Sequence, residues 1–207
     1  MARRTALEAD QTRLTIMCAA VQMFCSAGYA RTTLEEIARL AGVTRGAVYW
    51  HFESKQRLLE SVCHDAVEAL EEAFSTESPS SPLQAMVATA EALFRTVVGQ
   101  GDALNISALL FKWGRQGGSD IIRDQRIALS VRLRNHAGGC LEHAVAARLL
   151  PAGTNILTAA FAYEAYVFGI VESWLFEPSF DLAAQAGELA GKAVGLVGAL
   201  QWHVANQ

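Results

Sequence analysis

Apolar residues recur at helical spacing through nearly the whole chain, in runs separated by single turn residues or short polar breaks. The tightest such punctuation lies at Leu34–Lys55, LEEIARLAGVTRGAVYWHFESK. Thr33 with Glu36 three residues on is a capping box, which starts a helix whose Ile37, Leu40 and Ala41 are expected on one buried face. Gly42 supplies the residue that takes positive φ at its end. Thr44 then caps a second helix whose first turn is Arg45, Gly46 and Ala47. Two short helices meeting at a tight turn predict a helix-turn-helix.

The same reading extends in both directions. A first helix is expected from a Thr5/Glu8 capping box to Ala27, with Ile16, Ala20, Met23, Phe24 and Ala27 inward and Gly28 ending it. Arg3 and Arg4 precede it as either an arm for phosphate or minor groove, or a solvated terminus. Phe52 closes a small core, and Ser54 caps a helix over roughly 55–74. Ser75–Pro82, STESPSSP, is a loop. Further helices are predicted at Leu83–Val98, with Met86, Ala90, Leu93, Phe94 and Val97 inward, and at Ala103–Gly114, with Ile106, Leu109, Leu110 and Trp113 inward. After a break at Gly117 and Gly118, Ser119 caps a long helix towards Leu150. The Gly138–Gly139 pair inside it suggests a kink or a close contact. Asn155–Phe176 and Asp181–Trp202 are the last two helices, with Pro151–Thr154 as the turn before them. The expected fold is all-α: an N-terminal three-helix helix-turn-helix domain at residues 1–54, and a second, helical domain at 55–207, for which the family resemblance given below implies effector binding and dimerisation.

Composition supports this and adds a charge argument. The 207 residues are 52% hydrophobic with only 4 prolines, ample for a helical core. A net charge of −4 argues against nucleic-acid binding, but its distribution reverses the argument. Residues 1–57 carry eight basic and five acidic side chains, a net of +3, whereas the remainder carries nine basic and sixteen acidic, a net of −7. A basic head on an acidic body suits a protein that touches DNA at one end. Cys18, Cys25, Cys63 and Cys140 show no paired spacing and follow no secretory signal, so reduced thiols in a cytoplasm are expected. Gln185, Glu188 and Lys192 interrupt the apolar stretch Leu182–Leu200, against a membrane span.

In a helix-turn-helix the first turns of the second helix meet base edges while the flanks hold phosphate. Arg45 has the bidentate fork suited to a guanine edge, and Gly46 removes a side chain where backbone approaches DNA. Thr44, Tyr49, Trp50 or His51, and Lys55 can reach phosphates. With Thr33, these form the expected DNA-facing set.

The run GVTRGAVYWHFESKQRLL, preceded by ARTTLEEIA, resembles the signature of the TetR family of one-component transcriptional regulators, most closely its AcrR and TtgR type of multidrug-efflux repressors. MARRT at the start and GIVESWLFEPSFDL at Gly169–Leu182 extend the resemblance along the chain. It implies a repressor without a cofactor, with double-stranded DNA as partner at an inverted-repeat operator. It also implies a connecting helix after Ser54 that carries ligand binding to the DNA heads, and a homodimer through the last two helices. Gly187, Gly191 and Gly195, four apart, form a small-residue stripe that suits either that dimer or ordinary intrachain packing.

For the effector, Met86, Leu93, Leu109, Leu110, Trp113, Phe161, Phe168 and Val171 are candidates to line an apolar cavity, with plain core as the alternative. Glu164 and Glu172 flank Phe168 at i, i+4 and i+8 on an otherwise apolar helix, and a carboxylate there is either exposed or buried with a partner. The resemblance makes these three positions pocket-facing. Carboxylate beside aromatic is the chemistry for an organic cation, so a hydrophobic, cationic effector is the expectation. Competing readings are a regulator of metabolism or antibiotic biosynthesis with the same fold, and a ligand-binding protein without regulatory function. An enzyme is not expected: no metal spacing, nucleophile turn or phosphate loop is present, and Cys63 and His64 point to different helix faces.

Overall fold

A computed structural model of the chain describes residues 2–72, 81–99, 108–113 and 119–199, which are helical apart from turns. The helices are α1 (Ala2–Ala27), α2 (Leu34–Ala41), α3 (Arg45–His51), α4 (Lys55–Glu71), α5 (Pro82–Val98), α6 (Asp120–Ala146), α7 (Ile156–Phe176) and α8 (Leu182–Ala199), with a π-helical segment at Leu109–Trp113. The chain groups into two compact units, Met1–Val67 with Gln100–Gln125, and Glu68–Gly99 with Arg126–Gln207. The divisions between these units fall inside α4 and α6, and Leu58, Leu59, Val62 and Cys63 of α4 are fully buried in the first unit's core.

In the first unit, α1 packs on α2 and α2 on α3. Ile16, Ala20 and Phe24 of α1 are fully buried, as are Ile37 and Val48. Two expectations are corrected here. The α2 core face is Leu34, Ile37 and Ala38, whereas Leu40 is 49% exposed. An i, i+3, i+4 stripe centred on Ile37 leaves Leu40 on the rim. The first helix begins at Ala2, not after Thr5, so the Thr5/Glu8 box is not its start and Arg3 and Arg4 lie in helical backbone. Alanine, arginine and leucine around Thr5 are good helix formers and carry the helix through it.

The second unit is built on α5 against α8, which make its most extensive helix–helix contact, with α7 packed on both. The expected inward face of α5, Met86, Ala90, Leu93, Phe94 and Val97, is fully buried. The opposing face of α8 is Leu182, Ala186, Ala190, Ala193 and Val197, mostly small residues that let the two axes approach. Tyr163 of α7 is buried, and its hydroxyl donates to the Met86 carbonyl at 2.6 Å. α7 is long and apolar enough by length and composition to cross a membrane, yet it packs within this bundle and carries two carboxylates paired with arginine.

Helix ends follow the sequence closely. Ser54, Asn155 and Asp181 each accept an amide proton at 2.9–3.1 Å from the third residue on. Gly28 and Gly42 take φ of 85° and 67°. α6 stops at Ala146 rather than Leu150, because Arg148 takes φ 60° and the Leu149 amide donates back to the Ala144 carbonyl. α6 runs unbroken through Gly138 and Gly139, and neither glycine is forced by a neighbour: a Cβ on Gly138 would meet only Ile156 Cγ2 at 3.9 Å. The expected loop at Ser75–Pro82 lies outside the described residues up to Ser80. The same holds for the helix expected at Ala103–Gly114 outside 108–113, for Gly117 and Gly118, and for the end of the last helix beyond Ala199.

Candidate functional site

The helix-turn-helix is built as its capping residues dictate. Thr33 Oγ1 accepts from the Glu36 amide at 3.3 Å, and the Glu36 carboxylate accepts from the Thr33 amide at 2.9 Å. The Thr33 amide first, and then the Thr33 hydroxyl, which donates to the same carboxylate at 2.8 Å, hold the Glu36 carboxyl below its ordinary value. Gly42 turns the chain, and Thr44 Oγ1 caps α3 by accepting from the Ala47 amide at 3.1 Å. Val48 is the buried anchor of α3 and Phe52 closes the turn below it, with Ala47 and His51 half-buried beside them, so Arg45, Gly46, Tyr49 and Trp50 face outward.

Thr44, Arg45, Gly46, Tyr49 and Trp50 are exposed, with Trp50 at 74%. Arg45 is held among neighbours: Nη1 lies 2.6 Å from Glu35 of α2, and the guanidinium sits 5.3 Å from the Tyr49 ring centre and donates to its hydroxyl at 3.4 Å. The Trp50 and His51 rings meet edge to face at 4.6 Å. A Cβ at Gly46 would touch only Thr44 Oγ1 at 3.8 Å, so the glycine is not required by the protein's own packing.

Lys55 differs from the sequence expectation of a phosphate ligand. Its ammonium donates to the carbonyls of Tyr29 and Thr32 at 2.8 Å each, and rests over the Tyr29 ring at 4.4 Å. Three carbonyls of the α1–α2 turn, Ala30 included at 3.5 Å, converge on one cation. That convergence satisfies its donors and fixes the turn that leads into Thr33. Nothing in the order of residues advertises it, since the partners lie 23–26 positions away.

The residues singled out for an effector divide between the two units. Met86, Leu93, Phe168 and Val171 are buried in the second, and Leu109 and Leu110 in the first. The Trp113 side chain lies outside the described residues. Phe161 is not interior: it is 57% exposed, because it lies off the buried stripe of Ala160, Tyr163, Glu164, Val167 and Phe168.

Glu164 and Glu172 resolve the choice left open by the sequence, since both are paired. Glu164, 7% exposed, accepts from Ser130 Oγ at 2.7 Å and from Arg134 Nη1 at 3.2 Å, and Arg134 also donates to Ser130 at 3.0 Å. Glu172 accepts from Arg126 Nη2 at 3.0 Å, and the Arg126 guanidinium lies 3.9 Å from the centre of the Phe168 ring. The carboxylate–aromatic pair predicted to attract a cation therefore holds one from its own chain. Arg126, Ser130 and Arg134 are spaced i, i+4, i+8 on α6, the same spacing as Glu164, Phe168 and Glu172 on the antiparallel α7. That matched spacing was the signal available for residues the sequence reading missed.

A second polar group lies near this ladder. Thr89 Oγ1 and His136 Nε2 share a hydrogen bond of 2.9 Å, and Cys140 Sγ lies 3.8 Å from the same nitrogen. Burial pushes the His136 pKa down and the Cys140 thiol up, so both favour their neutral forms. Cys63 is pushed up to about 12 by burial, which makes it an inert core thiol. Among the described residues no group of three or more His, Cys, Asp or Glu side chains is arranged to hold a metal ion.

Comparison with known proteins agrees with this layout. Residues 16–62 match the family described as bacterial regulatory proteins, tetR family, and residues 116–198 match the MAATS-type transcriptional repressor, C-terminal region. The HTH-type transcriptional regulator AcrR of Shigella flexneri is 32% identical over 191 residues, covering 90% of this chain and 89% of that one. The HTH-type transcriptional regulator TtgR of Pseudomonas putida is 36% identical over 187 residues, covering 88% and 89%. Among solved structures, SmeT with triclosan superposes with a TM-score of 0.72 at 27% identity, covering 89% of this chain and 90% of that one; SmeT is the repressor of the Stenotrophomonas maltophilia multidrug efflux pump SmeDEF. NalD, the secondary repressor of the MexAB-OprM multidrug efflux pump in Pseudomonas aeruginosa, superposes with a TM-score of 0.71 at 26% identity, covering 89% and 96%. With an outward-facing α3 on a capped helix-turn-helix and relatives matched over nearly its whole length, the chain belongs to the TetR family of DNA-binding transcriptional regulators, with a MAATS-type repressor C-terminal region, and is not an enzyme.

Proposed function

We propose that the protein represses a multidrug efflux system in the cytoplasm and leaves its operator when a hydrophobic small molecule binds. The observation that carries the DNA half of this reading is the exposure of Arg45, Tyr49 and Trp50 on α3 above the buried Val48. Arg45 reads a guanine edge, Gly46 admits the backbone, and Thr33, Thr44, Tyr49, Trp50 and His51 hold phosphate or sugar. Lys55 acts through the turn it braces. DNA reading then rests with residues 1–54, and effector binding and dimerisation with 55–207.

The reading includes a homodimer joined through α7 and α8. Leu157, Phe161 and Leu196 are exposed large apolar side chains on these helices, and Gly187, Gly191 and Gly195 lie on the exposed face of α8. Pairing places two α3 helices on half-sites of an inverted repeat one helical turn apart, about 34–36 Å. The effector is held by the apolar interior of the second unit, around Met86, Leu93, Phe168 and Val171. The complex of SmeT with triclosan supports an effector of this apolar kind. A compound that binds the DNA-free form tenfold better shifts the equilibrium by about 1.4 kcal/mol, so full release requires stronger discrimination.

The test is release from duplex DNA taken from upstream of the protein's own gene and its neighbours. Saturating triclosan or a hydrophobic dye is expected to dissociate the specific complex; a complex that forms and resists every such compound would leave repression standing and remove the efflux-inducer reading.

A further inference from the structure

We infer that Lys55 is a positioning residue for DNA reading: its ammonium stays on the α1–α2 turn while α3 is on DNA, and so holds α2, and Arg45 beside it, in register with the bases. This rests on the DNA half of the proposed function and adds to it a side chain that acts there without touching phosphate. Lys55 is the first residue of α4, half-buried, and its cation is fully engaged. An ammonium carries three N–H donors and no acceptor. The Tyr29 and Thr32 carbonyls take two of them at 2.8 Å each, the Ala30 carbonyl faces the third at 3.5 Å, and the Tyr29 ring covers the group with its centre 4.4 Å away. Reaching a phosphate means giving up these bonds, which leaves three carbonyls converging with no proton between them.

The braced turn is what α2 starts from. Thr32 is buried, and its hydroxyl donates to the Gly28 carbonyl at 2.9 Å and to the Met23 carbonyl at 3.3 Å, so the turn is tied to the end of α1 on one side and to α4 on the other. The Tyr29 ring packs on Phe24 at 5.4 Å between centres, which fixes the aromatic face under the ammonium. The next residue, Thr33, caps α2, and Glu35 in the first turn of that helix lies 2.6 Å from Arg45 Nη1. From Lys55 to Arg45 the path is therefore a turn carbonyl, a helix cap and an ion pair. Releasing the turn lets α2 tilt and moves Arg45 with it. A base-edge contact depends on that placement, because both N–H groups of a bidentate pair must meet their acceptors, whereas phosphates line every duplex. Lys55 acts on discrimination between duplexes more than on affinity for duplex in general.

A phosphate ligand at the same position behaves differently in two respects. Its removal flattens the dependence of log affinity on log salt by about 0.9 and weakens every duplex alike. Arginine replaces it without loss, because a guanidinium grips phosphate at least as well as an ammonium does. Three carbonyls aimed at one point fit the compact ammonium and do not fit the planar fork of arginine.

The experiment measures binding of wild type, Lys55→Met, Lys55→Arg and Arg45→Ala to duplex from upstream of the protein's own gene and to random duplex, across a salt series. The expected result is a loss of roughly tenfold in own-gene affinity for both Lys55 variants, the scale of one misplaced base contact. Random-duplex affinity is expected to change less than about twofold, and the salt slope by less than about 0.3. Wild-type own-gene binding by either Lys55 variant overturns the inference, as does a slope flattened by about 0.9 in Lys55→Met. Equal weakening of both duplexes at unchanged slope, the mark of a smaller folded fraction, overturns it too. Should Lys55→Met fail to fold, Tyr29→Leu, which keeps the ammonium but removes its aromatic face, carries the test with Lys55→Arg: a reduced preference for the own-gene duplex is expected in both, and wild-type preference in either overturns. Arg45→Ala separates the two claims. Preference lost there and kept in Lys55→Met overturns this inference alone; preference kept in Arg45→Ala overturns it together with base reading by α3.

Discussion

In the proposed reading Arg45 is the side chain on which base reading depends, and the residues around it set how well it would read. Glu35 at 2.6 Å and the Tyr49 ring and hydroxyl hold the guanidinium in one place before DNA arrives, so less side-chain freedom is lost on binding. The Glu35 carboxylate also repels phosphate, which weakens indiscriminate contact. Glu35→Gln should therefore tighten binding to random duplex and lower the ratio of specific to random affinity by roughly two- to fivefold, the scale of an exposed ion pair; competition with random duplex reads that ratio directly. Backbone strain gives a second prediction. Arg148 holds φ 60° at the end of α6, where glycine has no steric penalty, so Arg148→Gly should raise stability by about 0.5–1 kcal/mol in a urea titration. Gly28 and Gly42 were legible as left-handed ends because the residue type announced them, whereas Arg148 announced nothing and the helix was read on to Leu150. The caps at Thr33, Thr44 and Ser54 were equally legible, since capping acts over three residues.

Between elements, the ladder joining α6 to α7 replaces apolar packing with a hydrogen-bonded seam. Removing Glu164 takes the shared acceptor from Ser130 and the half-buried Arg134, so Glu164→Ala should destabilise by about 2 kcal/mol, while Glu164→Gln, which can still accept from Ser130, should cost about 1 kcal/mol. One half of this seam, Glu164, Phe168 and Glu172, stood out in the sequence, but its pairing with Arg126, Ser130 and Arg134 depended on the register of two helices, which no local pattern encodes. The cation that Glu172 and Phe168 suggested was read as a ligand because Arg126 lies 46 positions away. His136 adds a pH dependence. Burial lowers its pKa in the folded state, so the unfolded chain binds the proton more readily. Its contribution is present above the ordinary histidine pKa near 6.5 and is lost as pH falls from there through the lowered folded value. Thermal melts should show stability falling with acid across that window, and His136→Gln should flatten this part of the curve.

At the scale of the molecule, the proposed function needs two copies of the chain paired through α7 and α8. Such pairing doubles the modest positive excess of the head, which one copy alone carries as only +3 over residues 1–57 (eight basic against five acidic side chains). Leu157 is 78% exposed, so Leu157→Glu should leave the monomer folded and shift sedimentation equilibrium towards it; an unchanged dimer would move the interface elsewhere. The fold class and the order of helices were legible because helical periodicity and caps are local. The grouping into units that cut through α4 and α6 was not, because it depends on which core each half of a helix joins. The measurement that bears most directly on sequence-specific repression is binding of the purified protein to duplex DNA from its own upstream region across a salt series, beside random duplex and the Arg45→Ala protein. The account predicts tight binding that weakens steeply with salt, exceeds random duplex, and loses that excess in Arg45→Ala. Equal affinity of wild type and Arg45→Ala for both duplexes would contradict base reading by α3.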